Sequence, residues 1–290
     1  MQMDKVCVIF YEGEGDQVED CLSIVIKVLN DAKVIYSIVS RDKVVSTARL
    51  AQYDIIITVG GDGTLLGVCH YVSGQIVIGV NSNLEKSVGG LCVANKLNFK
   101  EIFNDIIGLK LYPLELVRIK VSSDTLLVGH SACNDIMLVK KNKMGLLTLE
   151  VNFGCLKEQF KCTSLIISTP CGSTGIIRDF GGEKIGIKCS YLQWLATGLW
   201  NMNRGEYLLA SGILKAAEKI YILSPDHDIA VFIDGNYCSF SLAKGMQLSV
   251  ELSLEKIKLV SSFDMEKRRH MIDLLCRKRD LNPQGKSGRF

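Results

Sequence analysis

The sequence predicts an α/β domain followed by an all-β domain, because its pattern of apolar residues differs between the two halves of the chain. In the first hundred residues, continuous Val- and Ile-rich runs alternate with helical stretches, a pattern typical of a doubly wound parallel sheet covered on both faces. After about Asn104, short apolar or alternating runs separated by turns take over, which indicates β-structure. We therefore expect an α/β nucleotide-binding domain over residues 1–103 and an all-β domain over 104–262.

The predicted elements follow this division in order. The four strand-like runs of the first domain read KVCVIFY, KVIYSIVS, DIIITV and QIVIGV. Helices are predicted between them, at DQVEDCLSIVIKVLNDA and over residues 64–72. The second domain contains runs such as LELVRIKVSS, GLLTLEVNFG, SLIIST, IAVFIDGN and KIKLVSS. Residues 263–290 return to helical spacing, so we expect a C-terminal helix that returns to the N-terminal domain, followed by a flexible tail.

Composition excludes several classes of protein. The chain has 290 residues, of which 48% are hydrophobic and 22% charged, with a net charge of +3, so neither nucleic acid nor a membrane is an expected partner. Its apolar runs are shorter than the roughly 18 residues that a membrane span requires. The first strand begins close to Met1, which leads us to expect a cytoplasmic protein. Eleven cysteines and four scattered histidines favour reduced thiols over disulfides or a zinc site.

The segment DIIITVGGDGTLL carries the strongest chemical signal. Gly60, Gly61 and Gly63 follow a buried strand and surround Asp62, with Thr64 next. Glycines there allow a phosphate to approach the backbone, and the start of the following helix can donate N–H groups to it. A carboxylate beside phosphates suits metal binding or acceptance of a proton from an attacking hydroxyl. The segment predicts phosphoryl transfer, although a tight turn with an Asp helix cap remains the alternative.

The GGDGT segment resembles the superfamily that contains the NAD kinases, the diacylglycerol and sphingosine kinases and, more loosely, the phosphofructokinases. Three further segments resemble NAD kinases in particular, and they follow the family's order over about residues 5–260. These segments are Gly79-Val80-Asn81 with its continuation SNLEKSVGGLC, the pair Asn134-Asp135, and the run from Ser168 to Thr174. FIDGN, which ends at Asn236, stands in the place of the family's Asp-Gly-Gln turn. The SNLEKSVGGLC continuation is most similar to the mitochondrial-type branch.

The resemblance implies phosphorylation of the 2′-hydroxyl of the adenosine ribose of NAD, with ATP as donor and Mg²⁺ on its phosphates rather than in a protein cage. It makes Asp62 the catalytic base and assigns Gly60, Gly61, Gly63, Thr64 and Asn81 to phosphate and nucleotide binding. It also implies a site between the two domains and a homodimer or homotetramer. The residues it assigns to NAD binding are Asn134, Asp135, Ser168, Thr169, Ser173, Thr174, Gly175 and Asn236.

The chain departs from the family pattern at three points. Thr163-Ser164 stands where an Asp-Gly is usual, Cys171 where a Thr or Ser is usual, and Thr174-Gly175-Ile176 where Thr-Ala-Tyr is usual. These departures keep open a catalytically degenerate NAD(P)-binding protein. A lipid kinase of the same superfamily is the other alternative, supported by the basic C-terminal helix alone.

Overall fold

A computed structural model describes residues 5–44, 46–85, 89–123, 131–141, 145–200, 207–235 and 237–262, together with residue 267. The 18 strands of this part of the chain form three sheets. In chain order they are β1 Val6–Phe10, β2 Tyr36–Ser40, β3 Ile55–Gly60, β4 Ile76–Asn81, β5 Ala94–Asn95, β6 Pro113–Leu116, β7 Ile119–Ser123, β8 Asp135–Lys140, β9 Leu147–Phe153, β10 Leu156–Cys162, β11 Ser164–Ser168, β12 Tyr191–Thr197, β13 Ser211–Lys215, β14 Lys219–Leu223, β15 Ile229–Ile233, β16 Cys238–Leu242, β17 Gln247–Leu252 and β18 Ile257–Val260.

The first sheet has seven strands in the order β2-β1-β3-β4-β18-β6, with β5 paired to β4. Strands β1 to β4 are parallel, and every residue of β3 is buried. Burial on both faces explains why these strands are continuously apolar in sequence. The predicted α/β fold is confirmed for this part of the chain.

Within the described ranges five α-helices accompany the strands: α1 Asp16–Asp31, α2 Thr47–Leu50, α3 Asp62–Cys69, α4 Phe99–Ile107 and α5 Ile176–Asp179. The expected helix over residues 64–72 begins two residues earlier, at Asp62, because Gly61 has the extended conformation of an N-cap residue. The helix therefore starts within the phosphate turn itself. This places Asp62 in the first turn of α3, where the helix dipole favours a carboxylate.

The second half of the chain forms two antiparallel sheets that enclose a separate core. Five strands follow the order β10-β9-β14-β17-β7, and six follow β13-β12-β11-β8-β15-β16. Alternate residues such as Leu149, Val151, Ile220 and Ile222 point inward and are fully buried. The expected all-β domain is therefore confirmed.

The boundary expected between residues 103 and 104 does not coincide with the edge of the first sheet. Strands β6 and β18 both come from the 104–262 segment, yet they pair with each other, and β18 also pairs with β4. The sequence of a short strand does not show which sheet the strand will join, because its pairing partners lie far away in sequence. The expected C-terminal helix and tail of 263–290 lie outside the described residues, except for Lys267.

Two findings bear on the class of protein. No helix within the described ranges is long and apolar enough to cross a membrane. The cysteines of these ranges are all free thiols, and most of them are buried.

Candidate active site between the two domains

The phosphate turn joins the end of β3 to the start of α3. Gly60 is the last residue of β3, and a Cβ atom there would collide with the side chain of Thr64. Thr64 is buried, whereas Gly61 and Asp62 are half-buried and Gly63 is exposed. Only glycine at position 60 therefore allows the strand to run into the helix with this tight geometry.

Asp62 uses its carboxylate to organise a second loop. The N–H of Gly90 donates to Oδ2 at 2.8 Å, and the N–H of Leu91 donates to Oδ1 at 2.9 Å. A carboxylate offers about four acceptor positions, so these two bonds fix its orientation and leave capacity for a hydroxyl. The arrangement suits a group that accepts or orients a substrate proton.

Asn81, which we expected to bind nucleotide, is buried at the end of β4. Its Oδ1 accepts the N–H of Asn83 at 3.1 Å. Gly89, at φ +63°, packs so closely that a Cβ there would lie 2.5 Å from Asn81 Nδ2. Asn81 therefore shapes the loop that meets Asp62, and its role in nucleotide binding stays a prediction.

The Asn134–Asp135 segment is held by a residue that the sequence reasoning missed. Asp234 accepts the N–H of Cys133 and that of Asn134, each at 2.7 Å, and that of Asp135 at 3.0 Å. It has a left-handed backbone conformation, with φ +46°, which Asp tolerates better than most residues. The Asp-Gly pair within FIDGN was the available sequence signal, because Asp-Gly is typical of such turns.

Asn134, Asp135 and Asp234 line a cavity of about 450 Å³, a volume within the range of small-molecule sites. Its lining consists of Asn134, Asp135, Met137, Ile176, Phe232, Asp234 and Gly235. Burial, together with the nearby Asp234 charge, raises the pKa of Asp135 to about 7. Burial also raises the pKa of Asp234, against the opposing effects of three backbone N–H groups and Arg118. Asn134 Oδ1 is buried without a hydrogen-bond partner in the described ranges.

Three of the hydroxyls expected to contact NAD form hydrogen bonds within the protein. Ser168, Thr169 and Ser173 are fully buried. Thr169 donates to the carbonyl of Cys133 at 2.6 Å, and Ser173 donates to that of Pro170 at 2.8 Å. Their hydroxyls bond the backbone, so these side chains fix the loop and do not line the cavity.

The remaining expected NAD-binding residues differ in their placement. Thr174 and Gly175 are half-buried, and a Cβ on Gly175 would lie 4.0 Å from Asp135 Oδ2. Gly175 therefore lies beside the cavity that its neighbour Ile176 lines. Asn236 lies outside the described residues.

The phosphate turn and the cavity meet through the end of α3. Nε2 of His70, the residue after α3, lies 3.5 Å from Oδ2 of Asp234, and both side chains are buried. The hydroxyl of Tyr237 donates to the carbonyl of Gly63. These two contacts connect α3 to the segment around Asp234, although the residues are far apart in sequence.

Comparison with known proteins shows that the chain is similar to NAD and NADH kinases. No protein-family model matches the chain. A probable NADH kinase from Oryza sativa subsp. japonica is 28% identical over 229 residues, which cover 71% of this chain and 70% of that protein. An NADH kinase from Arabidopsis thaliana is 33% identical over 119 residues, 35% of this chain and 37% of that protein. An NAD kinase from Cytophaga hutchinsonii is 28% identical over 47% of each chain.

Solved structures share the fold at low identity. The NAD kinase of Archaeoglobus fulgidus, solved with ATP, has a TM-score of 0.75 at 17% identity and matches 92% of this chain and 98% of its own. Yeast NADH kinase, solved with NADH, has a TM-score of 0.77 at 16% identity, with 99% and 90% coverage. The prediction from the GGDGT, Asn134-Asp135 and Ser168–Thr174 segments is thus confirmed at the level of the family, while the mitochondrial-type branch remains a prediction. The chain is therefore similar in sequence and in fold to NAD and NADH kinases, enzymes that transfer a phosphoryl group to a hydroxyl.

Proposed function

We propose that the protein phosphorylates the 2′-hydroxyl of the adenosine ribose of NAD, with Mg-ATP as the donor. The observation that carries this proposal is the pair of contacts that connect the helix of the Asp62 turn to the segment lining the cavity, Tyr237 to Gly63 and His70 to Asp234. A donor held at the turn and an acceptor held in the cavity would meet at the boundary between the domains. The rice, Arabidopsis and Cytophaga relatives, named as NADH or NAD kinases, support the same choice of substrates.

In the proposed reaction the donor phosphates approach the backbone of Gly60, Gly61 and Gly63. The start of α3 supplies N–H groups and the positive end of its dipole. The residues in the described ranges contain no cluster of three or more His, Cys, Asp and Glu side chains that could hold a metal ion. The half-buried carboxylate of Asp62 is compatible with Mg²⁺ carried on ATP phosphates, where one or two carboxylates commonly complete the coordination.

Asp62 is the proposed base or orienting group for the ribose hydroxyl. Its bonds to Gly90 and Leu91 hold the carboxylate at the mouth of the turn. The hydroxyl proton passes to Asp62 as the oxygen attacks the terminal phosphorus of ATP, and ADP leaves. Because phosphoryl transfer depends mainly on positioning and charge stabilisation, few protein side chains are required.

In the cavity, Asn134 and Asp135 offer an amide and a carboxyl group to ribose hydroxyls or to an amide-bearing ring. With a pKa of about 7, Asp135 exists as both acid and carboxylate near neutral pH. It can therefore donate as well as accept a hydrogen bond. The unpartnered Oδ1 of Asn134 is an acceptor that a bound dinucleotide would satisfy.

A coupled assay for NADP or NADPH formed from Mg-ATP and NAD or NADH tests the proposal. Product with either dinucleotide is the expected result. Calorimetric binding of NAD without any turnover at millimolar Mg-ATP would instead identify the degenerate NAD(P)-binding protein. The relatives cited above are named for NAD or NADH, so the lipid kinase alternative is not retained.

The proposal includes assembly as a homodimer or homotetramer. Strand β13 is the end strand of the six-stranded sheet and carries Ile213, which is 46% exposed. Trp200 and Leu208, at 53% and 71% exposure, precede it in the chain. End strands and exposed apolar side chains favour pairing between copies. Light scattering coupled to size-exclusion chromatography would measure the mass; a monomer at micromolar concentration would refute this part.

A further inference from the structure

Arg41 lies at the edge of the sheet that carries the phosphate turn. Strand β2 ends at Ser40, and Arg41 begins the short 3₁₀ turn that follows. Because β1, β2 and β3 are parallel, Arg41 and Gly60 both stand at the carboxyl ends of their strands. Ligands of doubly wound sheets bind at this edge.

The side chain of Arg41 is held by two tyrosines. Its guanidinium carbon stands 4.0 Å above the centre of the Tyr11 ring. Its Nη1 donates to the hydroxyl of Tyr237 at 3.1 Å, and that hydroxyl donates in turn to the carbonyl of Gly63. Two consecutive hydrogen bonds therefore connect Arg41 to the phosphate turn.

Tyr237 reaches the turn because α3 has glycines four residues apart. A Cβ on Gly67 would lie 2.5 Å from Tyr237 Cε1, and one on Gly63 would lie 3.4 Å from its hydroxyl oxygen. Residues four apart share a helix face, so Gly63 and Gly67 form a flat surface on which the ring lies. Burial raises the pKa of Tyr237, with Arg41 opposing, so the hydroxyl stays protonated and can donate to Gly63.

The phosphate turn itself has no basic residue that could balance the charge of a bound triphosphate. The turn and α3 together read GGDGTLLGVC, with one carboxylate and no basic residue. A bound triphosphate adds several negative charges, which require a cation for tight binding. The Asp42 partner of Arg41, at 3.4 Å, is 67% exposed, and such exposed pairs contribute little. The guanidinium is therefore available to another anion.

We propose that Arg41 binds the β- and γ-phosphates of ATP at the Gly60–Thr64 turn. This inference rests on the proposed function of the same site. The planar guanidinium has five N–H donors in a fork that matches phosphate oxygens. One N–H group of Arg41 can keep its hydrogen bond to Tyr237 while the other N–H groups face the phosphates. Tyr237 therefore orients the guanidinium toward the turn.

Calorimetric titration with Mg-ATP and, separately, with AMP tests the role of Arg41. We expect Arg41→Ala to raise the Kd for Mg-ATP about tenfold, or 1.4 kcal/mol, and to change the Kd for AMP less than twofold. AMP lacks the phosphates that Arg41 would contact. Arg41→Lys keeps the charge and loses the fork, so its Kd for Mg-ATP should rise about threefold.

Lys43→Ala is the matched control, because it removes one exposed positive charge from the same 3₁₀ turn. Its Kd for Mg-ATP should stay within twofold of the wild type. Equal weakening of ATP and AMP by Arg41→Ala, an equal effect of Lys43→Ala, or no ATP binding by the wild type would overturn the inference. If Arg41→Ala does not fold, the ATP-against-AMP difference in Arg41→Lys decides.

The two proposals fail in different ways. A wild type that binds Mg-ATP through Arg41 but forms no NADP or NADPH would contradict the proposed function and leave the Arg41 contact standing. If Arg41→Ala forms NADP with an unchanged KM for ATP, the Arg41 contact would be contradicted and the proposed function would stand.

Discussion

Replacement of Asp62 by Asn tests both the chemistry and the architecture of the site. The carboxylate accepts N–H groups from Gly90 and Leu91 at 2.8 and 2.9 Å. Charge-assisted bonds of this kind contribute about 1.5–3 kcal/mol each. Asn keeps one acceptor oxygen but turns an NH₂ group toward the other N–H, so one bond is lost. We expect the free energy of unfolding to fall by about 1–3 kcal/mol.

The catalytic effect of Asp62→Asn should exceed its effect on stability. Loss of a general base typically costs 10²–10⁴-fold in rate, so kcat for NADP formation should fall at least about a hundredfold. Asp31→Asn, at the exposed end of α1, removes the same charge away from the turn and should leave both quantities unchanged. Coupled-assay kinetics and denaturant unfolding measure the two effects. Turnover within a few-fold of the wild type would refute the role of Asp62.

Two further variants test the cavity and the tyrosine contact. A pKa of Asp135 raised from 3.8 to about 7 means that the folded state holds this proton more tightly than the unfolded state. The corresponding contribution to the free energy of unfolding, roughly 4 kcal/mol, is present below pH 4 and is lost as pH rises through 7. Asp135→Asn should reduce this loss, which unfolding curves recorded at several pH values measure. An unchanged pH dependence in the variant would contradict the raised pKa of Asp135. Gly67→Ala should displace the Tyr237 ring, since its Cβ would lie 2.5 Å from Cε1. Faster amide hydrogen exchange in the β15–β16 hairpin measures that displacement, and wild-type exchange rates would argue against it.

The sequence predicted features that depend on local chain geometry. The strand-to-helix turn at Gly60–Thr64 requires glycine at position 60, where a Cβ would collide with Thr64. Both residues lie within five consecutive positions, so the sequence alone indicates the turn. The continuous apolar runs likewise predicted a sheet that is buried on both faces, as β3 is.

Contacts between distant segments could not be predicted in this way. Asp234 holds the backbone of Asn134 from a hundred residues away, and Arg41 meets Tyr237 across 196 residues. The hydroxyl of Ser173 illustrates a second limit. A serine that bonds the carbonyl of Pro170 inside the protein has the same sequence signature as one that faces a ligand, because only burial distinguishes them.

The pairing of β6 with β18 makes the β domain an insertion within the α/β domain. Leu116, where the chain leaves the first sheet, is the register partner of Ile257, where it returns. The entry and exit of the inserted domain are thus adjacent on neighbouring antiparallel strands, the geometry that a tight hairpin connects. A short turn from Leu116 to Ile257 would excise the β domain and keep the strand order of the first sheet. The phosphate turn and the cavity of Asn134 and Asp135 thus belong to two modules whose two chain connections, after Leu116 and before Ile257, are adjacent.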